Sequence, residues 1–451
     1  MITNKKNKLE LFKANPSKAL WTLSIPMMLG MSVQAIYMLI DTAFIGKWVG
    51  GAALAGLGLV FPPLFIIMGI TFGLGSGATT VIAKSIGEGN KEKADNAANH
   101  IIFLGILLSL FFVFIGYFFG YNIISYQSDN SSIMKHASDY FYIMISGTFF
   151  MIMSIFFRSI LSGEGDNLFP MKVLGLGTLI NLILDPVFIY YYQIKGAALA
   201  TVISQIIVFI IFTFMMIFKK HTYITINLTK FKFNSNILIQ ILKLGIPASL
   251  SMLIMSVGLF FYNRILAMTE LPLEAIAAYS TAHRIEHLFF IPIISIATSM
   301  VTLVGMFYGA RRLDLINKVI SYGLKNAVAI SCLFGIFFFT SSKFIFPLFT
   351  NDPSIIKIGV EYFKIFSFAI PFVTLTMICS RIMQGLGKAY PMLIITCLRV
   401  IVISCFLAYI FIEVMNKPLH FAWYAILLSC IFSSLLASIW MFSIKRKITL
   451  D

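Results

Sequence analysis

Two carboxylates stand deep in apolar sequence, Asp41 in "QAIYMLIDTAFIG" and Asp185 in "NLILDPVFIY". A carboxylate with so few polar neighbours is costly to bury in a core or in lipid, and one retained there is functional by default. At about 1.5 Å per helical residue, Asp41 lies about 9 Å along its segment from Lys47, and Asp185 about 15 Å from Lys195. Asn181 sits one turn from Asp185 on the same helical face. Thr201, in "GAALATVISQ", returns to the depth of Asp41 on the next segment. Pro186 removes one backbone hydrogen bond and frees the carbonyl of Leu182. Two carboxylates, an amide oxygen, a hydroxyl and a loosened carbonyl suit a small hard cation such as Na⁺, or a proton relay. The plainer reading makes Asp41 and Asp185 hydrogen-bonded structural acids that lock helices together.

A second polar cluster, His283, Arg284, Glu286 and His287, reads "HRIEH". This fits the H-x-x-E-H pattern of an inverted zinc peptidase, hence an intramembrane zinc hydrolase. Five residues are a weak signal, and no acidic helix follows to supply a third ligand, so Na⁺ at the first cluster is the only metal expected. Local neutralisation of Arg284 by Glu286 is the expectation here, with the histidines packing, lining a cavity or sensing pH. Tyr37, one turn before Asp41, and Tyr140 at the start of its segment are candidate substrate contacts, as are Met28 and Gln34. The chain holds 45 Phe and 23 Met, enough for part of them to form a pliable apolar wall that accepts varied ligands.

These side chains need elements to hold them. Of the 451 residues, 59% are hydrophobic and 12% charged, against about 25% charged in soluble domains. Apolar runs long enough to cross a bilayer cover about 19–46, 53–83, 97–120, 137–162, 169–193, 196–218, 238–267, 275–304, 319–342, 358–384, 390–413 and 420–443. An even number of crossings puts both termini on one side. Most of the 34 basic residues fall in loops on that side, such as "NKKNKLELFK", "KEK", "KKH", "TKFKF" and "KRK", while Arg264, Arg284 and Arg399 fall within segments. That asymmetry predicts cytoplasmic termini in a plasma (inner) membrane. It also accounts for the net charge of +16 without nucleic acid, since no basic domain stands apart from the loops. The basic N-terminus leads into an apolar stretch too long for a signal peptide and without a small-residue cleavage site. The five cysteines all lie in apolar segments, form no CxxC pair and read as packing residues.

The longest inner loop, 219–237, divides the chain into lobes at 1–218 and 238–451, and the halves repeat. "LSIPMM" answers to "LGIPAS", and "VIAKSIGEGN" to "LVGMFYGARR" with Gly87 opposite Gly309. "LSGEGDNLFP" answers to "IMQGLGKAYP" with Gly163 opposite Gly385. Each half has an even number of segments, so the repeats are parallel, an arrangement found in transporters with a central site. The expected fold is all-α and integral to the membrane, with twelve transmembrane helices in two six-helix bundles.

"IPMM…DTAFIG", "GATTVIAKSIGEGN", "FRSILSGEGDN…P", "NLILDPVFIY", "GAALATVISQ", "LKLGIPASL", "AHRIE…P" and "RIMQGLGKAYP" together resemble the MATE (multidrug and toxic compound extrusion) family, in order along nearly the whole chain. The resemblance implies a V-shaped, two-lobed transporter, not an enzyme. It implies alternating access that exports amphipathic, mostly cationic compounds in exchange for H⁺ or Na⁺, with no other cofactor. By position it gives Asp41, Asn181, Asp185 and Thr201 the coupling-ion site and Pro26 a bend that accompanies protonation. Acids in the first lobe resemble the DinF-like branch. Asn263 stands where the repeat places Asp41, so a second-lobe ion site of the other branch lacks its carboxylate. The expected partners are drug-like small molecules and the lipid bilayer, with oligomeric state open and a monomer compatible. Export or flipping of a lipid-like or cell-envelope metabolite is the alternative within transport.

Overall fold

The computed structural model describes residues 8–127, 130–219 and 221–450. Twelve helices long and apolar enough to cross a membrane follow a short helix at Leu9–Ala14. They are α1 (Pro16–Trp48), α2 (Gly51–Gly87), α3 (Lys91–Ser125), α4 (Ser131–Gly163), α5 (Leu168–Tyr192), α6 (Ile194–Phe218), α7 (Ser235–Leu266), α8 (Pro272–Gly309), α9 (Leu313–Leu348), α10 (Pro353–Gly385), α11 (Tyr390–Val414) and α12 (His420–Leu450). No strand occurs among the described residues. Each expected apolar segment is one helix, extended at its ends by capping residues that hydropathy alone does not register.

Local signals set those ends, and several recur between the halves. Asn130 accepts from the amides of Ser132 and Ile133 to start α4, and Asp352 does the same from Ser354 and Ile355 to start α10. Such caps satisfy amides that a helix leaves free at its first turn. After α4 and α10 the chain turns through Gly165 (φ 86°) and Gly387 (φ 84°), a left-handed conformation that glycine adopts without strain. The offset that pairs Gly87 with Gly309 also pairs these caps and these turns.

The chain forms two compact units, one of Met1–Glu10 with Ile25–Ile246 and the other of Leu11–Ser24 with Pro247–Asp451. Thus α1 and α7 each change unit beside a proline, Pro26 and Pro247, within the matched "LSIPMM" and "LGIPAS". In unit 2 the N-terminal part of α1 is tied by Trp21 Nε1 donating to the Tyr322 hydroxyl (3.0 Å) and Ser24 Oγ to Ser299 Oγ (3.0 Å). In unit 1 the N-terminal part of α7 packs backbone to backbone on α2. A Cβ on Gly77 would stand 2.6 Å from the Ile241 carbonyl oxygen, so only glycine permits this approach.

Unit 1 also holds the loop between α6 and α7. The amides of Tyr223 and Ile224 donate to Glu164 Oε2, Thr225 N to Asp95 Oδ1, Asn227 N to Asn99 Oδ1 and Asn234 N to His100 Nε2. Polar side chains at the start of α3 and the end of α4 thereby replace the water that loop amides would otherwise need. Unit 2 has an aromatic core in which Tyr262, Phe338, Phe346, Tyr362, Phe363 and Trp423 are all buried.

Candidate functional site

In unit 1, α1, α4, α5 and α6 bring the sequence-predicted polar residues together. Asp185 has no exposed surface and Asn181 is 4% exposed. Their helical i−4 spacing lets Asn181 Nδ2 donate to Asp185 Oδ1 at 3.0 Å. From α1, the Tyr37 hydroxyl donates to Asp185 Oδ2 at 3.0 Å. Asp41, one turn further along α1, lies against Asp185, carboxyl group to carboxyl group. The Thr201 hydroxyl donates to the Ala197 carbonyl (3.0 Å) and stands within reach of the hydroxyls of Tyr37 and Tyr140. Beside the pair, Ile45, Ala53, Leu57, Ile189, Ile194 and Ala197 form an apolar cluster against which Phe44, Val49 and Tyr140 pack.

The pair joins a buried acid, Asp185, to a half-buried one, Asp41. Neither carboxylate forms an ion pair among the described residues. Asp41 Oδ1 is buried with no hydrogen-bond partner. Two carboxyl groups in contact need a proton between them or a cation beside them, because two bare negative charges this close repel strongly where protein partly replaces water. The donor set fits either occupant: two carboxylates, the Asn181 amide oxygen left free by its own donated bond, and the lone pairs of Thr201. Pro26 is buried near the point where α1 changes unit. Met28 is half-buried, and Gln34 is exposed on the opposite side of Tyr37 from Asp41 in the chain.

The α8 cluster separates. Glu286 is buried, while His283, Arg284 and His287 are exposed. The expected Arg284–Glu286 neutralisation does not form, because residues two apart point to different faces of a helix. Glu286 Oε2 instead meets His283 Nδ1 at 3.7 Å, one turn back, and the Tyr362 hydroxyl also reaches it; Oε1 is buried without a partner. Around it Tyr279 stacks on Trp423 (5.9 Å, 17°) and Tyr362 meets Trp423 edge-on (5.0 Å, 87°). No group of three His, Cys, Asp or Glu side chains among the described residues is placed to hold a metal.

A family model, MatE, matches residues 26–187 and 247–410, one span per repeat. The chain belongs to the MatE family. Its members are transporters rather than enzymes. The probable multidrug resistance protein NorM of Thermotoga maritima is 26% identical over 435 residues, which cover 95% of this chain and 92% of that protein. The multidrug export protein MepA of Staphylococcus aureus is 26% identical over 88% of each chain. A solved structure described as the outward-facing conformation of a multidrug resistance MATE family transporter of the MOP superfamily superposes with a TM-score of 0.93. It is 29% identical, and the match covers 99% of both chains. The two MatE spans begin at Pro26 and Pro247, the prolines beside which α1 and α7 change unit.

One functional candidate escaped the sequence reading. Arg158 in "FFRSIL" has the composition of any basic residue near a loop, yet it lies inside α4 and lines a cleft of unit 1.

Proposed function

We propose that this MatE-family protein is a secondary active multidrug exporter that exchanges amphipathic, mostly cationic compounds for H⁺ or Na⁺. Multidrug resistance and export in the relatives support the substrate class. The observation that carries the coupling site is the contact between half-buried Asp41 and buried Asp185, with no cationic side chain paired to either among the described residues and one buried carboxylate oxygen unpartnered. In this reading Asn181 and Tyr37 hold Asp185 in place by donating to its two oxygens, Asp41 approaches from α1, and Thr201 closes the set from α6. A proton, or Na⁺ at the same oxygens, relieves the repulsion that would push α1 and α5 apart. Ion binding then favours one conformational state over another, and that difference in affinity couples ion entry to drug exit. We assign the accompanying bend of α1 to Pro26.

The lobes at 1–218 and 238–451, joined by 219–237, are the proposed functional halves, with coupling in the first as in a DinF-like transporter. The basic bias of the loops supports a plasma (inner) membrane location with cytoplasmic termini. The test is efflux of a fluorescent organic cation from vesicles under separately imposed Na⁺ and pH gradients. Asp41→Asn should lose the gradient dependence; a variant that exports as fast, with the same dependence, removes the coupling role.

A further inference from the structure

The cleft that Arg158 lines lies wholly within unit 1, between α1, α4 and α5. It is an open cleft of about 340 Å³, solvent at its mouth included. Polar and apolar side chains line it together, as the head and the first part of the chain of an amphiphile require. Met27, Met31 and Met171 supply much of its apolar wall, and Gln34, Arg158, Ser162 and Asn167 its polar side chains. Ser162 Oγ donates to Asn167 Oδ1 at 2.7 Å, so that hydroxyl and that oxygen are engaged with one another. The guanidinium of Arg158 lies over the ring of Phe72, 5.1 Å from its centroid, and has no hydrogen bond or ion pair among the described residues. Its five donors are held in a fixed fork that matches a carboxylate or phosphate.

The second repeat provides an internal control. At the corresponding end of α10, Arg381 is shifted by one residue relative to Arg158 and donates from Nη1 to Gln384 Oε1 at 2.9 Å. The residue opposite Gln384 in the first repeat is Ser162, which is too short and is already bonded to Asn167. One unit satisfies its arginine internally and the other leaves it facing a cleft. Arg158 also stands five residues from the end of α4 at Gly163, about 7.5 Å. A helix of 33 residues is about 50 Å long and exceeds the hydrocarbon thickness of about 30 Å. A helix of that length carries turns at head-group depth when it spans the core, and Arg158 stands within two turns of one end.

We propose that Arg158 anchors a site for the anionic head of an amphiphile, a phosphate or carboxylate, with Gln34 as second donor and the methionine wall taking the first part of the apolar chain. The site is separate from the Asp41–Asp185 pair and of opposite charge preference. A membrane phospholipid and a free anionic amphiphile share this chemistry. The test titrates the purified full-length protein in neutral detergent with dioleoyl-phosphatidylglycerol, with dodecyl phosphate and with dioleoyl-phosphatidylcholine, following the thermal unfolding midpoint. Wild type should be half-saturated by an anionic probe at a concentration at least about tenfold lower than Arg158→Gln. Arg158→Lys should fall between them, Arg381→Gln should titrate like wild type, and phosphatidylcholine should not distinguish any variant. Response to phosphatidylglycerol alone assigns the site to a lipid, and an equal response to dodecyl phosphate assigns it to a free amphiphile. A wild type without preference for either anionic probe over phosphatidylcholine overturns the proposal, and this holds whether or not Arg158→Gln folds. Equal titration of wild type and Arg158→Gln, or an equal loss in Arg381→Gln, overturns it as well.

Discussion

The same tyrosine position serves different acids in the two units. Tyr140 on α4 and Tyr362 on α10 are related by the repeat, and each follows an acidic residue and precedes a phenylalanine. In unit 1 the tyrosine stands by a pair of carboxylates from α1 and α5, next to the small side chain Thr201. In unit 2 the α1-equivalent position is Asn263, whose buried Oδ1 has no partner, and a buried acid, Glu286, comes from α8. Large aromatic rings fill the space beside it, with Trp423 1% exposed. The duplicated scaffold is thus retained while its interior diverges: one unit keeps two acids in contact, the other packs rings around one buried acid that faces His283 at 3.7 Å. Duplication preserves the caps, turns and unit-changing prolines because the backbone depends on them. It leaves the polar interior free to differ.

If that contrast is right, carboxylates of unit 1 should matter for coupling far more than the acid of unit 2. Asp185→Asn should have the largest effect, lowering gradient-driven efflux by about 10- to 100-fold, the range of a coupling free energy of a few kcal/mol. Efflux assays on variants of equal abundance check this. Trp423→Ala should break unit 2 differently. Truncating a fully buried tryptophan costs about 3–5 kcal/mol of stability, visible as a lowered unfolding midpoint, whereas the ion dependence of the surviving protein should stay as in wild type. Tyr37→Phe removes one hydrogen bond to Asp185, worth about 1.5–3 kcal/mol for a charged acceptor. It should shift the ion concentration for half-maximal efflux by about tenfold or more without abolishing transport. Glu286→Gln should have the smallest effect on coupling, less than about threefold, because His283 and Tyr362 can still bond the amide.

How far the sequence carried this picture depends on what each feature rests upon. The twelve helices were legible because apolar length alone determines them. Asn181 with Asp185 was legible because an i−4 spacing fixes a shared face on any helix. The meeting of α1 with α5 and α6 was a depth argument, and depth says nothing of rotation. The orientation of Tyr37 towards Asp185, rather than Asp41, therefore had to come from the structure. Rotation also decided the α8 cluster, where adjacency in sequence pointed to Arg284 and the helix turned Glu286 to His283. The change of unit at Pro26 and Pro247 lay within the matched motifs, yet hydropathy treats α1 and α7 as uninterrupted. Arg158 was hidden by its abundance class, since a cleft arginine and a topology-setting one look the same in a charge count.

The central claim is that coupling resides in the acids of unit 1. The most direct measurement is ion movement driven by substrate: proteoliposomes loaded with a fluorescent organic cation, with internal pH and internal Na⁺ followed as the cation leaves. The account predicts that wild type and Glu286→Gln move H⁺ or Na⁺ against the cation while Asp41→Asn and Asp185→Asn do not. Ion movement that persists in both aspartate variants and vanishes in Glu286→Gln would contradict it.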